Sequence, residues 1–287
     1  MKVLIVGMGF GNLYKAVHTE LGNEIVTVDT NGSAAYTNID DALRVHTKFD
    51  VVHICTPNFT HVKLARKVAF QSKIVIIEKP GAVNALSWKQ LVDDYPKTRF
   101  MMSKNNMWRD NIGDMQLAAS ASKKIYINWL NEDRIPNPGS WFTTKELAYG
   151  GVSRDLMPHL LSLYISLNPN WISDSVTYNY KGQHHKLEQL TSSDYGTVKH
   201  DGVYDVDDVA IVAFSERWFL TSNWKSGHPD QRNIECDDQT FELGLCPESA
   251  YKAMVQDAIN NLDNDEFWAT QYSQDIWIHS IIDQLWK

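Results

Sequence analysis

The chain has 287 residues, with 27 Lys and Arg against 35 Asp and Glu, a net charge of −8. At 43% hydrophobic and 22% charged residues the composition excludes a wholly disordered chain, and no apolar run reaches the ~18 residues of a membrane span. The acidic balance, without a basic stripe, excludes a general nucleic-acid binder.

The length suits about two domains. The apolar start, too short for a signal peptide, reads as a first strand, and with only three cysteines it predicts a cytoplasmic protein. Cys55, Cys236 and Cys246 make no disulfide or metal-ligand pattern, and His184-His185 has no third ligand nearby, so no metal is expected. The 10 Trp, 12 Tyr and 10 Phe either fill a core or, in part, line a site for a sugar-like ligand.

Residues 2–6 are a Val/Ile/Leu run of the kind that forms a parallel strand covered on both faces. The turn Gly7, Met8, Gly9, Phe10, Gly11, Asn12 follows, then a helical period at Leu13, Val17 and Leu21 that ends at Gly22. A second strand, 24–28, runs into Asp29. Strand, glycine turn, helix, strand and acidic residue form the order that binds a dinucleotide. Gly7 permits the turn, Gly9 lets backbone approach a pyrophosphate at the helix N-terminus, and Asp29 accepts the adenosine ribose hydroxyls. A carboxylate there repels a 2′-phosphate, which predicts NAD(H) over NADP(H). The third glycine of the pattern falls at Asn12, with Gly11 one residue early, so the closeness of helix and strand is left open.

The alternation continues with a short helix at 39–45, a strand at 50–55 ending in Thr56-Pro57-Asn58, a helix at 60–70, a strand at 73–78 ending in Glu78-Lys79-Pro80, a helix at 85–93 and a strand at 99–102. Five strands alternating with helices predict an α/β, doubly wound parallel sheet whose ligands bind at the carboxyl strand ends. That edge collects the glycine turn, Asp29, Thr56, Pro57, Asn58, Glu78 and Lys79. His61, opening a helix there, either touches the ligand or belongs to the structure, and His53 reads as core.

After residue 104 the period changes. A helix at 111–121 precedes strand-like stretches at 124–130, 175–180, 208–214, 217–224, 232–236 and 239–243. Ser215-Glu216 and Asp237-Asp238 read as hairpin turns. A helix at 153–166 intervenes, and helices at 247–262 and 274–286 close the chain. The expectation is a dinucleotide-binding domain over 1–104 and an α+β domain over 105–287 with a large, mostly antiparallel open sheet, the last helix free to pack back on the first domain. Asp155 and His159 stand four apart on the 153–166 helix and so share a face. That pair either braces a domain junction or does chemistry, and the spacing alone does not choose.

Taken together, Gly7–Gly11, the stretch from Asp50 to Glu78-Lys79-Pro80, and Gly150-Gly151 followed by Asp155 and His159 resemble the glucose-fructose oxidoreductase/inositol dehydrogenase/rhizopine-catabolism family, Gfo/Idh/MocA, over nearly the whole chain. The resemblance implies an NAD(P)-dependent oxidoreductase acting on CH–OH groups of a sugar, cyclitol or sugar derivative. It implies that Lys79 polarises the reacting oxygen, that His159 is the acid/base, and that Asp155 orients the imidazole or holds a substrate hydroxyl. It further implies a cis bond before Pro80, a cofactor contact at Pro57, and substrate contacts among Asn105, Trp108, Arg109, Trp129 and Trp141. Met157-Pro158 before His159 departs from the family's small residue. Other readings of the same fold are a dinucleotide-binding regulator without turnover and a biliverdin-type reductase. An open sheet face predicts a homodimer or homotetramer.

Overall fold

The computed structural model describes residues 1–192 and 195–287, which form two compact units: Met1–Ser103 with Pro247–His279, and Lys104–Cys246 with Ser280–Lys287. Residues 247–279 therefore group with the N-terminal unit, whereas the sequence placed everything after residue 104 in a second domain and allowed only the last helix to return.

The first unit begins with β1 (Lys2–Val6), α1 (Met8–Glu20), β2 (Glu24–Val28), α2 (Ile39–Val45) and β3 (Phe49–Ile54). It continues with α3 (His61–Val68), β4 (Ser72–Ile77), α4 (Ala85–Asp94) and β5 (Arg99–Met102). All pairings are parallel, in the order β2-β1-β3-β4-β5. Val3–Val6, Val51–Ile54 and Ile74–Ile77 are buried on both faces, which is why these strands read as unbroken apolar runs. The chain leaves β1 for β2 on one side and then crosses to β3 on the other. This reversal opens a crevice at the carboxyl ends of β1 and β3, where such sheets take ligands.

The second unit holds α5 (Ile112–Ala121), β6 (Ile125–Leu130), α6 (Lys145–Ala148), α7 (Val152–Asp155), α8 (Met157–Leu167) and β7 (Val176–Gly182). Then follow β8 (Val209–Phe214), β9 (Trp218–Asn223), β10 (Gln231–Cys236) and β11 (Gln239–Glu242). The sheet order is β11-β10-β6-β9-β8-β7, antiparallel throughout except for β6 beside β9. Helix α8 packs on the face carrying Ile127, Trp129, Trp218 and Leu220, while Tyr126, stacked on Phe219 with ring centroids 5.1 Å apart, marks the opposite face. Ser215 (φ 50°) and Asp237 (φ 46°) take left-handed backbone at the two expected hairpin turns. Helix α9 (Glu248–Asn260) and α10 (Asp265–Gln284) close the chain. Among the described residues no helix is long and apolar enough to cross a membrane, and no cluster of His, Cys, Asp and Glu could hold a metal ion.

The expected single helix over 153–166 is in fact two. Helix α7 ends at Asp155 and α8 starts at Met157. Pro158 is the cause, because it carries no N–H for the carbonyl of Arg154 and its ring clashes there. His159 N instead donates to Leu156 O at 3.0 Å, and Asp155 and His159 flank a break rather than sharing one continuous helical face.

Candidate active site

In the first unit a cleft of about 820 Å³ lies against the ends of β1, β2 and β3. Gly7, Gly9, Asp29, Thr56 and Pro57, all assigned from sequence to the coenzyme, line it. Gly7 sits at φ +91°, and a Cβ there would stand 2.6 Å from the Cys55 carbonyl oxygen, so only glycine makes this turn. Helix α1 already begins at Met8, which shortens the expected turn and puts Gly9 and Gly11 in its first turns. A Cβ on Gly11 would lie 2.7 Å from Cγ2 of Ile5. Gly11 thus supplies the close helix–strand contact expected of a glycine at position 12, and Asn12 is exposed, its amide donating to Met8 O.

A Cβ on Gly9 would meet nothing within 4 Å, so the backbone there is open to the cleft. The first-turn amides of a helix have no intrahelical acceptor. One of them, Met8 N, donates to Asp29 Oδ2 at 2.6 Å, and Asn31 N donates to Oδ1 at 3.0 Å. The carboxylate is therefore fixed at the cleft wall with lone pairs remaining for hydroxyl donors. An open glycine backbone, first-turn amides and an anchored carboxylate fit a dinucleotide.

The remaining coenzyme positions are placed differently. His61 is 1% exposed, with Nδ1 3.0 Å from Pro80 O and Nε2 2.7 Å from Thr56 O, so both ring nitrogens are engaged by backbone carbonyls. Glu78 Oε1 accepts from Tyr14 OH at 2.7 Å, and burial raises its carboxyl above the usual carboxylate range. Asn58 is buried and Phe10 is exposed, its ring 5.9 Å from that of Tyr251. Lys79, half-buried, follows β4, and the Lys79–Pro80 bond is cis.

In the second unit the segment from Gly150 to Ile165 is buried except at two positions, Asp155 and His159. Leu156, Met157, Leu160, Leu161, Leu163 and Tyr164 anchor it, each apolar side chain contributing roughly 1.5–3 kcal/mol by burial. Asp207 fixes its N-terminal end. Its carboxylate accepts from Gly151 N (2.9 Å), Ser153 N (2.8 Å) and Ser153 Oγ (3.1 Å), and a Cβ on Gly151 would sit 1.8 Å from Asp207 O. Burial raises the Asp207 carboxyl, against the pull of those donors. The C-terminal residues brace the same turn: Trp286 Nε1 donates to Ser153 Oγ at 3.1 Å and Arg154 pairs with Asp283 at 2.9 Å.

Trp224 Nε1 donates to Asp155 Oδ2 at 2.9 Å. The Trp129 ring stacks on that of His159, centroids 5.3 Å apart and 23° between planes. Trp129 opposes Ser222 in the β6/β9 register, so both indoles come from the same end of the sheet. His159 Nδ1 meets Asn106 Nδ2 at 3.1 Å, and Asn106 Oδ1 in turn accepts from Arg109 Nε at 2.8 Å. Asn106 is thus a partner of Nδ1. Sequence reasoning took the stretch from Asn105 through Asn106 to Arg109 as candidate substrate contacts, did not foresee Asn106 as a partner of His159, and missed Asp207. Asn105 and Arg109 are buried, Trp108 is half-buried, and Trp141 stacks on Phe142 with centroids 3.9 Å apart. Asp155, His159, Trp129, Asn105, Trp108, Arg109 and Trp141 belong to the second unit, and Lys79 and the dinucleotide cleft to the first.

Residues 11–105 match the family model GFO_IDH_MocA, described as an oxidoreductase family with an NAD-binding Rossmann fold. The chain is 24% identical over 116 residues to a putative UDP-kanosamine synthase oxidoreductase subunit of Amycolatopsis mediterranei, a match spanning 39% of this chain and 32% of that protein. Among solved structures it is similar to GenD2 from gentamicin A biosynthesis in complex with NAD (TM-score 0.74, 16% identity, 100% of this chain and 93% of that one). It is also similar to levoglucosan dehydrogenase in complex with NADH and levoglucosan (TM-score 0.72, 15% identity, 99% and 96%). At these identities the likeness is one of fold, and it extends over both units. The sequence match to the Gfo/Idh/MocA model thus lies almost wholly in the parallel-sheet unit, over residues 11–105, and the likeness in fold takes in the second, mostly antiparallel sheet as well.

Proposed function

We propose that this protein is an NAD(H)-dependent oxidoreductase that moves hydride to or from a secondary alcohol or hemiacetal carbon of a sugar, cyclitol or sugar derivative. The observation that carries the reading is the pair left partly open in an otherwise buried segment, Asp155 and His159, each set against an indole. A carboxylate and an imidazole beside aromatic faces suit a polyhydroxylated ligand, whose hydroxyls need hydrogen-bond partners and whose C–H faces stack on rings.

When bound, NAD supplies the hydride acceptor. Gly9 and the first turn of α1 hold its pyrophosphate, and Asp29 takes the ribose hydroxyls and disfavours a 2′-phosphate. Between them, Lys79 and His159 polarise the reacting oxygen and exchange its proton, as charge grows there when hydride leaves. The family resemblance gives the first part to Lys79 and the second to His159. Asp155 holds a neighbouring substrate hydroxyl, and Trp129, Trp108 and Trp141 shape the substrate side. The levoglucosan dehydrogenase of like fold, solved with NADH and levoglucosan, supports the substrate class. The aromatic face marked by Tyr126 and Phe219 favours a homodimer or homotetramer, checked by mass measurement in solution.

The test is NADH absorbance with a panel of sugars and cyclitols, for the wild type and for Lys79→Ala and His159→Ala. Turnover with a polyol, lost in both variants, is expected. Unchanged kcat in either variant would remove that residue from the chemistry. Tight NAD binding without turnover of any member would instead indicate a dinucleotide-binding regulator.

A further inference from the structure

We infer that Arg109 and Asn106 are positioning residues that fix the tautomer of His159, keeping Nδ1 bare and the ring proton on Nε2. A guanidinium has only donors, so the Asn106 amide atom 2.8 Å from Arg109 Nε must be the oxygen. The amide nitrogen then faces His159 Nδ1 at 3.1 Å. An NH₂ group also has only donors, so Nδ1 has to accept, and the one proton of a neutral imidazole sits on Nε2.

The arrangement resists turning. Arg109 is held a second time, Nη1 donating to Leu243 O at 2.6 Å, so its fork cannot rotate away without losing both bonds. Asn106 is fully buried and Arg109 is 6% exposed, so water does not compensate a flipped amide. A flip would set NH₂ against the guanidinium. The Trp129 ring lying against the imidazole limits the histidine's own rotation. An imidazolium needs a second proton at Nδ1, where the Asn106 NH₂ already points. This environment opposes that of a carboxylate partner, which would place the proton on Nδ1 and favour the charged ring.

The consequence for catalysis rests on the function proposed above. With hydrogen on Nε2, His159 donates a hydrogen bond to the reacting oxygen and cannot take its proton at that atom. At Nε2 His159 would then polarise that oxygen, the part the family resemblance gives to Lys79.

The experiment is a long-range ¹H–¹⁵N correlation spectrum of ¹⁵N-labelled protein at neutral pH without dinucleotide, with His159 identified among the ten histidines by its loss in His159→Gln. The expected wild-type pattern has Nδ1 at an unprotonated position and Nε2 at a protonated one. In Asn106→Asp the carboxylate accepts from Nδ1–H and the two positions exchange. In Arg109→Lys the fork is lost and a mixture of tautomers appears. The remaining histidine signals report in the same spectra that the variants are folded. A wild-type proton on Nδ1, or a folded Asn106→Asp with unchanged His159 signals, would overturn the inference. No turnover is needed for this readout, so failure of the dehydrogenase reading and failure of the tautomer lock are separate results.

Discussion

The indole of Trp224 donates to Asp155 across 69 residues of sequence, Nε1 to Oδ2 at 2.9 Å. Trp224 directly follows β9, and its own main-chain N–H is held by Asp208 O at 3.0 Å. The sheet therefore aims the indole, and the indole aims the carboxylate. Trp224→Phe keeps a large ring and removes only the donor. Hydrogen bonds to a charged group contribute ~1.5–3 kcal/mol to stability, so the melting temperature should fall by several degrees, and kcat/KM should fall as well because the carboxylate loses its orientation. Steady-state kinetics beside a thermal melt checks this, and an unchanged kcat/KM would take Asp155 out of the mechanism.

Gly9 and Gly11 should separate ligand binding from stability. Gly11→Ala drives a methyl into Ile5 and should cost ~1–3 kcal/mol by overpacking. Gly9→Ala meets no protein atom and sits in a helix, where alanine is favoured by ~0.5–1 kcal/mol, so stability should hold or rise. The added methyl faces instead the cleft proposed to hold the dinucleotide, so the Kd for NAD should rise. Calorimetric titration with NAD and urea unfolding of the two variants would show opposite patterns. A Gly9→Ala protein that binds NAD as well as wild type would move the coenzyme elsewhere.

Asp29 caps Met8 N and, under the proposed function, also discriminates between coenzymes, two duties that can be separated. Asp29→Ser should cost ~1 kcal/mol of stability through the lost cap. It should also weaken NAD and narrow the preference for NAD over NADP, because the repulsion of a 2′-phosphate is gone. Parallel titrations with both coenzymes measure the ratio. If the ratio does not move, Asp29 acts as a cap alone.

His18 and His53 face each other through Nε2 atoms 2.8 Å apart, both fully buried. One nitrogen must donate and the other accept, so the pair cannot hold two charges. Burial takes His18 down to about 4 and holds His53 well below its ordinary value. Both folded values lie below the unfolded ~6.5, so on acidification the unfolded chain binds protons first. Their contribution is complete above pH ~6.5 and is lost as pH falls towards 4, at up to ~1.4 kcal/mol per pH unit for each ring. Urea unfolding across this range should show the decline, with a shallower slope in His18→Asn. An identical slope in that variant would assign the acid sensitivity to other groups.

Local periodicity determined much of this molecule. The Val/Ile runs at Val3–Val6, Val51–Ile54 and Ile74–Ile77, separated by helical patterns, are enough to predict a parallel sheet, since a strand covered on both faces leaves no polar alternation. The glycine at position 7 and the acidic residue after β2 were equally legible, because each requirement is met by one residue and its immediate neighbours, whereas the cis Lys79–Pro80 bond was implied only by the family resemblance. Pro158 was misread: the apolar period runs unbroken through it and predicted one helix, whereas its missing N–H splits α7 from α8.

What only the tertiary structure decided are contacts between residues far apart in sequence. That Gly11 rather than position 12 touches the strand depends on how α1 leans on Ile5. That His61 faces two carbonyls, and not the cleft, depends on where β3 and β4 end. That Asn106, 53 residues before His159, meets Nδ1 depends on the segment after β5 packing beside α8. No spacing rule encodes such pairs. They arise when whole elements pack, and packing turns on the summed shape and polarity of many side chains rather than on the period of any one segment.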